Sequence, residues 1–232
     1  MNELVLVQGM RDTRLALQRF SLRPMEVLGP WLALSLAVAL GLLGAVYGVA
    51  ELSRPDPTPL QLPGLYSPPD AGDYLFVLFR NSLVLTLHAL ACVAGFMAGS
   101  SIPLSAAERS GLDRWIHEKT ARFAIVFVAC ATTFSLTTQA YVIGGDAATI
   151  ANQLDISPAL LVLSLLPHAL PELVALFLPL AAWLVASRRD RWDELLAATV
   201  VTVGVAVPVL VVSGAIELWV SPQLLQAISG VA

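Results

Sequence analysis

Five apolar stretches dominate this chain, at residues 31–50, 75–99, 123–143, 159–186 and 195–220. A helix rises about 1.5 Å per residue, and the hydrocarbon core of a bilayer is about 30 Å thick. Each stretch therefore has spanning length. Lipid offers no partner for backbone N–H and C=O groups, so each stretch must close its own hydrogen bonds. Their length and their Ala and Leu content argue against strands. The expected fold is all-α, a polytopic membrane bundle of five transmembrane helices with amphipathic interfacial helices. Residues 1–24 read as a cytoplasmic amphipathic segment, and residues 25–232 as a single five-helix transmembrane domain.

Composition agrees. Of 232 residues, 57% are hydrophobic and 13% carry formal charge, against about 25% in a typical soluble domain. Mean hydropathy is +0.76. These values exclude an ordinary soluble domain, and with a net charge of −4 they exclude a nucleic-acid binder needing a basic face. Cys92 and Cys130 both lie in apolar runs and read as small hydrophobes rather than a disulfide or metal motif.

The basic residues set an orientation. Arg11, Arg14, Arg19 and Arg23 precede the first span. Arg109, Arg114, Lys119 and Arg122 follow the second, and Arg188, Arg189 and Arg191 follow the fourth. The opposite side holds Arg54 with Asp56, Asp70, Asp73, Asp146 and Asp155. The expectation is a cytoplasmic amino terminus and an outside carboxyl terminus. Leu6, Met10, Thr13, Leu17 and Phe20 form one helical stripe, fit for the inner leaflet or a partner helix. Ser105 with Glu108 forms a capping-box pattern ahead of Leu112, Trp115 and Ile116. Pro57, Pro59, Pro63, Pro68 and Pro69 mark a stiff outer loop.

Ionisable groups inside a span are costly and therefore mark candidate sites. Depth counted at about 1.5 Å per residue sorts them into two layers. Arg80, Asn81, Gln139 and Glu217 form an outer polar layer with Glu51 at its rim, and His88, His168 and Glu172 fall near the midplane. His168 and Glu172 stand one helical turn apart, framed by Pro167 and Pro171, so both face one side beside backbone freed by proline. Thr132, Thr133, Thr137 and Thr138 can add hydroxyls to either layer. A histidine and a carboxylate at this spacing can ligate zinc with His88 as third ligand. They can also move a proton or activate water for peptide hydrolysis. The plain alternative is that His168 and Glu172 satisfy each other and fix helix packing. For Arg80 and Glu217 it is an interhelical ion pair. The spacings Gly44 to Gly48 and Gly95 to Gly99 allow close helix approach within the chain or in a homodimer.

Pro167-His168-Ala169-Leu170-Pro171-Glu172 resembles the Pro-His-x-x-x-Glu signature of the stage II sporulation protein M family. Ala215-Ile216-Glu217 with Ser221-Pro222, and Asn81 in a span ending in Gly95 and Gly99, extend the resemblance over residues 75–222. Arg80 departs from it, standing where a second Asn is expected. The resemblance implies a five-span protein of a prokaryotic plasma membrane, acting as a scaffold or assembly subunit in cell-envelope processes. Its expected partners are the lipid bilayer, a second copy of the chain, and a membrane or envelope protein or peptide. Relatives linked to circular bacteriocin maturation keep open an intramembrane peptidase using His168 and Glu172. A proton-coupled transporter or channel using the same pair is the third reading.

Overall fold

The structure, a computed structural model, describes residues 5–58, 60, 64–101 and 111–230. Among these, every regular element is helical. We number the α-helices α1 (Val5–Leu22), α2 (Pro24–Leu52), α3 (Ala71–Phe96), α4 (Gly111–Gln153), α5 (Pro158–Arg188), α6 (Leu195–Trp219) and α7 (Ser221–Ser229). A π-helical turn, Met97–Ser101, extends α3, and a 3-10 turn, Trp192–Glu194, leads into α6. Five helical segments are long and apolar enough to cross a membrane: Pro24–Leu52, Ala71–Gly99, Val126–Gln153, Pro158–Arg188 and Trp192–Ser229. The chain is a multi-pass helical protein. The expected Ser105–Glu108 capping box lies outside the described residues. So do the side chains of Leu6, Leu112, Trp115 and Ile116.

The third span differs from its expected bounds. Its apolar run stops at residue 143, where Gly144, Gly145 and Asp146 read as an end. The helix instead continues to Gln153. A Cβ on Gly144 would lie 2.6 Å from Val49 Cβ and 2.9 Å from the Val46 carbonyl oxygen. The glycine therefore permits close contact with α2, and tertiary packing outweighs its low helix propensity. The turns on either side of α5 place Asp155 and Asp190 at φ 53° and 52°. These left-handed positions close each helix end, a role Asp tolerates because its short side chain can hydrogen-bond locally.

The chain divides into two compact units, each drawing on several helices. The first comprises residues 1–35, 84–132 and 176–206. Its core gathers Ala16, Phe20, Trp31, Leu178, Ala182 and Ala198, and a second cluster joins Cys92, Phe96, Trp183, Trp192 and Leu195. Phe20 and Trp31 meet edge to face at 5.7 Å. The α1 stripe is thus partly spent inside the chain, with Phe20 buried and Leu17 packed on the core, while Met10 stays exposed. Arg19 reaches Glu194 at 3.0 Å, and Arg191 pairs with the same carboxylate. Gly95 and Gly99 lie under the Trp183 and Trp192 indoles, so this small-residue spacing serves packing within the chain. Gly44 and Gly48 have no such neighbour within 4 Å of a built Cβ.

The second unit comprises residues 36–83, 133–175 and 207–232. The segment between α2 and α3 is tied down at several points. The Asp56 N–H donates to Thr149 Oγ1 at 3.0 Å, and Gln153 Nε2 donates to the Thr58 carbonyl at 3.2 Å. Gln226 Nε2 donates to the Leu65 carbonyl at 3.0 Å. Gly64 adopts φ +82°, and a Cβ there would lie 2.7 Å from both the Leu218 carbonyl oxygen and Pro222 Cγ. Only glycine suits that approach. Tyr74 on α3 donates to the Val211 carbonyl at 2.8 Å and packs its ring on Trp219.

Candidate functional site

The second unit collects the intramembrane polar residues of three helices. From α3 come Arg80 and Asn81, from α5 His168 and Glu172, and from α6 Glu217. Arg80 and Glu217 form an ion pair at 3.6 Å, as the sequence suggested. His168 is buried, and its Nδ1 is hydrogen-bonded to Ser221 Oγ at 2.7 Å. Ser221 is the first residue of α7, held there by Pro222 at a position where a missing N–H costs nothing. Glu172 lies within electrostatic reach of Glu217, Arg80 and Asn81.

Two cavities meet at this cluster. One, of about 360 Å³, is lined by Leu65, Asp73, Arg80, His168, Glu217 and Ser221 among others. The other, of about 270 Å³, is lined by Leu42, Val46, Arg80, His168, Glu172 and Glu217 with further apolar side chains. Arg80, His168 and Glu217 border both, while Glu172 borders the second alone. Three buried polar atoms here have no hydrogen-bond partner: Asn81 Nδ2, Glu172 Oε2 and Glu217 Oε2. Such groups are costly where water is excluded. One guanidinium faces two carboxylates, so the fully ionised cluster carries an excess negative charge.

The two-layer sorting by depth is redrawn by this geometry. His168 and Glu172 do not satisfy each other: His168 takes Ser221, and one Glu172 oxygen is left without a partner. They join Arg80, Asn81 and Glu217 in one cluster. Gln139 stands apart, with its Nε2 donating to Ser135 Oγ at 2.9 Å along its own helix. Thr133, Thr137 and Thr138 are exposed, and Thr137 donates to the Thr133 carbonyl. Glu51 is exposed beside Tyr47.

His88 belongs to the first unit. Its Nδ1 lies 2.6 Å from the Leu176 carbonyl oxygen, and its ring stacks on Phe177 at 5.8 Å. A carbonyl only accepts, so Nδ1 carries the proton and donates. Among the described residues no group of three or more His, Cys, Asp or Glu is arranged to hold a metal ion. The zinc set of His88, His168 and Glu172 is not found as such a group.

Proline does not interrupt α5, which runs unbroken through Pro167, Pro171 and Pro179. Side chains of α3 meet two carbonyls of α5: His88 bonds Leu176, and Cys92 Sγ donates to the Pro179 carbonyl at 3.1 Å.

Ser221 is the residue that side-chain chemistry alone did not single out. Its signal was positional, a Ser-Pro pair opening a new helix directly after the last span.

No curated protein and no solved structure matches this chain. The part of the resemblance carried by Asn81, Gly95 and Gly99 lies outside the stretch that a family comparison covers. Residues 119–222, which hold His168, Glu172, Glu217 and Ser221, match the model of the stage II sporulation protein M family, consistent with membership of that family.

Proposed function

We propose that this multi-pass chain is a membrane scaffold or assembly subunit in cell-envelope processes, working as a homodimer or with a membrane or envelope partner. The observation that carries the reading is the poor burial of α4. Only 6% of its spanning window is buried within the chain, against 50% for α5. Phe127, Phe134 and Tyr141 all stand exposed along it. Its carboxyl-terminal part packs on α2, but the weakly buried stretch has a face to offer lipid or another protein. The family match supports placement in a prokaryotic plasma membrane, and the basic residues flanking the spans support a cytoplasmic amino terminus and an outside carboxyl terminus.

A native handle lies on that face. Cys130 on α4 is exposed while Cys92 is buried. Treating membranes with a short bis-maleimide should yield a dimer or a defined heteromeric adduct that disappears in Cys130→Ser. A strictly monomeric protein, with no adduct and no partner retained in mild detergent, would refute the scaffold reading.

A second reading, an intramembrane peptide-processing enzyme, is favoured by Glu172 alone. Glu172 lines a cavity, and one of its oxygens has no hydrogen-bond partner, features that a general base would use. Glu172→Gln should then abolish processing of a co-expressed precursor peptide at unchanged expression. Unchanged processing would remove this reading.

A further inference from the structure

We propose that a groove between α1, the end of α3 and the start of α6 binds one anionic phospholipid, its phosphate on Arg14 and an acyl chain along the groove floor. The inference depends on neither reading above, and every residue that carries it belongs to the first unit.

The groove measures about 870 Å³, within the about 300–1,000 Å³ of ordinary small-ligand sites. Its floor is apolar, formed by Met10 and Leu17 of α1, Val93, Phe96 and Met97 where α3 ends, and Leu196 of α6. Every polar side chain in the lining comes from α1, with Arg14, Gln18 and Ser21 among them. Arg14 and Gln18 stand one turn apart and share a face. An apolar floor with a polar edge on one side suits an amphipathic ligand.

The level of the groove follows from the spans. The second spanning segment ends at Gly99 and the fifth begins at Trp192. Phe96, Met97 and Leu196 therefore lie about one turn from those ends, and Val93 lies a turn deeper than Met97. Headgroups meet hydrocarbon at such a level. Gly9 brings α1 close there, since a Cβ on it would lie 3.1 Å from Phe96 Cζ and 3.4 Å from Leu196 Cδ1. A phosphate beside α1 thus leaves its acyl chain pointing inward along Val93.

Charge selects the headgroup. Arg19 pairs with Glu194 and Arg23 with Glu26. Arg14 is exposed, and among the described residues no acidic group pairs with it. The arginine fork fits a phosphate bidentately, and the Gln18 amide adds a donor one turn away. A zwitterionic lipid brings its own ammonium to its phosphate, so an anionic lipid balances Arg14 better. An apolar partner helix would leave that charge unanswered. Met10 and Met97, 67% and 56% exposed, give adaptable walls for a flexible chain.

The test uses the purified full-length chain in mild detergent, with its unfolding temperature read by tryptophan fluorescence. It is titrated with dioctanoyl phosphatidylglycerol, dioctanoyl phosphatidylcholine or dioctanoylglycerol. Phosphatidylglycerol should raise the unfolding temperature saturably, and dioctanoylglycerol should not. Its midpoint should lie about fivefold below that of phosphatidylcholine, the worth of one arginine at an anionic lipid surface. Arg14→Gln should bring the two midpoints together, and Arg14→Lys should keep them apart. Arg54→Gln, which removes a cation of the second unit, should change neither. Equal responses to the two phospholipids, or a preference that survives in Arg14→Gln, would overturn the proposal. Phosphatidylglycerol carrying a photoreactive diazirine on one chain locates the lipid without any substitution. Adducts should concentrate on α1 and on residues 93–97. Adducts spread evenly over the spans, the pattern of general solvation by lipid, or concentrated elsewhere would overturn it as well.

Discussion

The two compact units are built partly from the same helices and solve the problem of polar groups in opposite ways. In the first, several charged and polar side chains are engaged. Glu194 takes two arginines, His88 and Cys92 bond carbonyls of α5, and Trp31, Trp183 and Trp192 fill the space between them. Among the described residues, its one partnerless buried side-chain atom is the neutral Trp183 Nε1. In the second, carboxylates stand beside cavities with oxygens unused. A sequence spends partnerless carboxylates only where something other than stability is selected. The first unit therefore holds the better-satisfied core, and the second is where a polar ligand is to be sought.

Substitutions can break this contrast. The largest effect is expected at Trp183, 3% exposed in the first unit. Trp183→Ala should lower stability by about 3–5 kcal/mol, the usual cost of emptying an aromatic core site. Reversible unfolding in mixed micelles would measure it, and a loss comparable to a surface substitution would erase the distinction between the units. Next comes Arg80→Gln, which leaves Glu217 facing its cavity alone. With half of the Arg80 side chain exposed, the expected loss is about 1–2 kcal/mol, below that for a fully buried pair.

Glu172→Gln should leave stability unchanged or raise it by about 1 kcal/mol at most, because it removes a buried charge that lacks a full set of partners. A strong destabilisation would show that Glu172 serves packing, and the contrast would collapse from the other side. The smallest effect belongs to Asp56, in the segment between α2 and α3. Its carboxylate accepts the Thr58 N–H at 2.7 Å, which lowers its pKa below the ordinary aspartate value. A depressed folded pKa means that the contribution is present above the unfolded value and lost as pH falls through the folded one. Carboxyl NMR should find Asp56 titrating below the ordinary aspartate range, and Thr58→Pro, which removes the donating N–H, should bring it back up.

The sequence made the fold legible because lipid enforces one rule, that apolar runs of spanning length become helices. The five spans follow from it. The rule fails where packing overrides composition, as at Gly144, whose missing Cβ admits α2 and lets α4 continue ten residues past the apolar run. Depth arithmetic did find the pair Arg80 and Glu217, which share a level and also face each other. It could not separate Gln139, which turns back to Ser135 on its own helix. Counting along a helix gives height, whereas azimuth is set by contacts between segments far apart in sequence. His168 shows the same limit, since its partner Ser221 lies 53 residues away on another helix.

The bonds from His88 and Cys92 to α5 have a mechanical meaning. The two residues are one turn apart on α3, and their acceptors, Leu176 and Pro179, are one turn apart on α5. Two such rungs resist sliding far better than apolar contact does, because apolar surfaces can slip past one another while a hydrogen-bonded rung must break outright. Any motion that loads these helices must carry them together as a ratchet with its pawl engaged, and only a shift of a full turn would offer the rungs new carbonyls to hold.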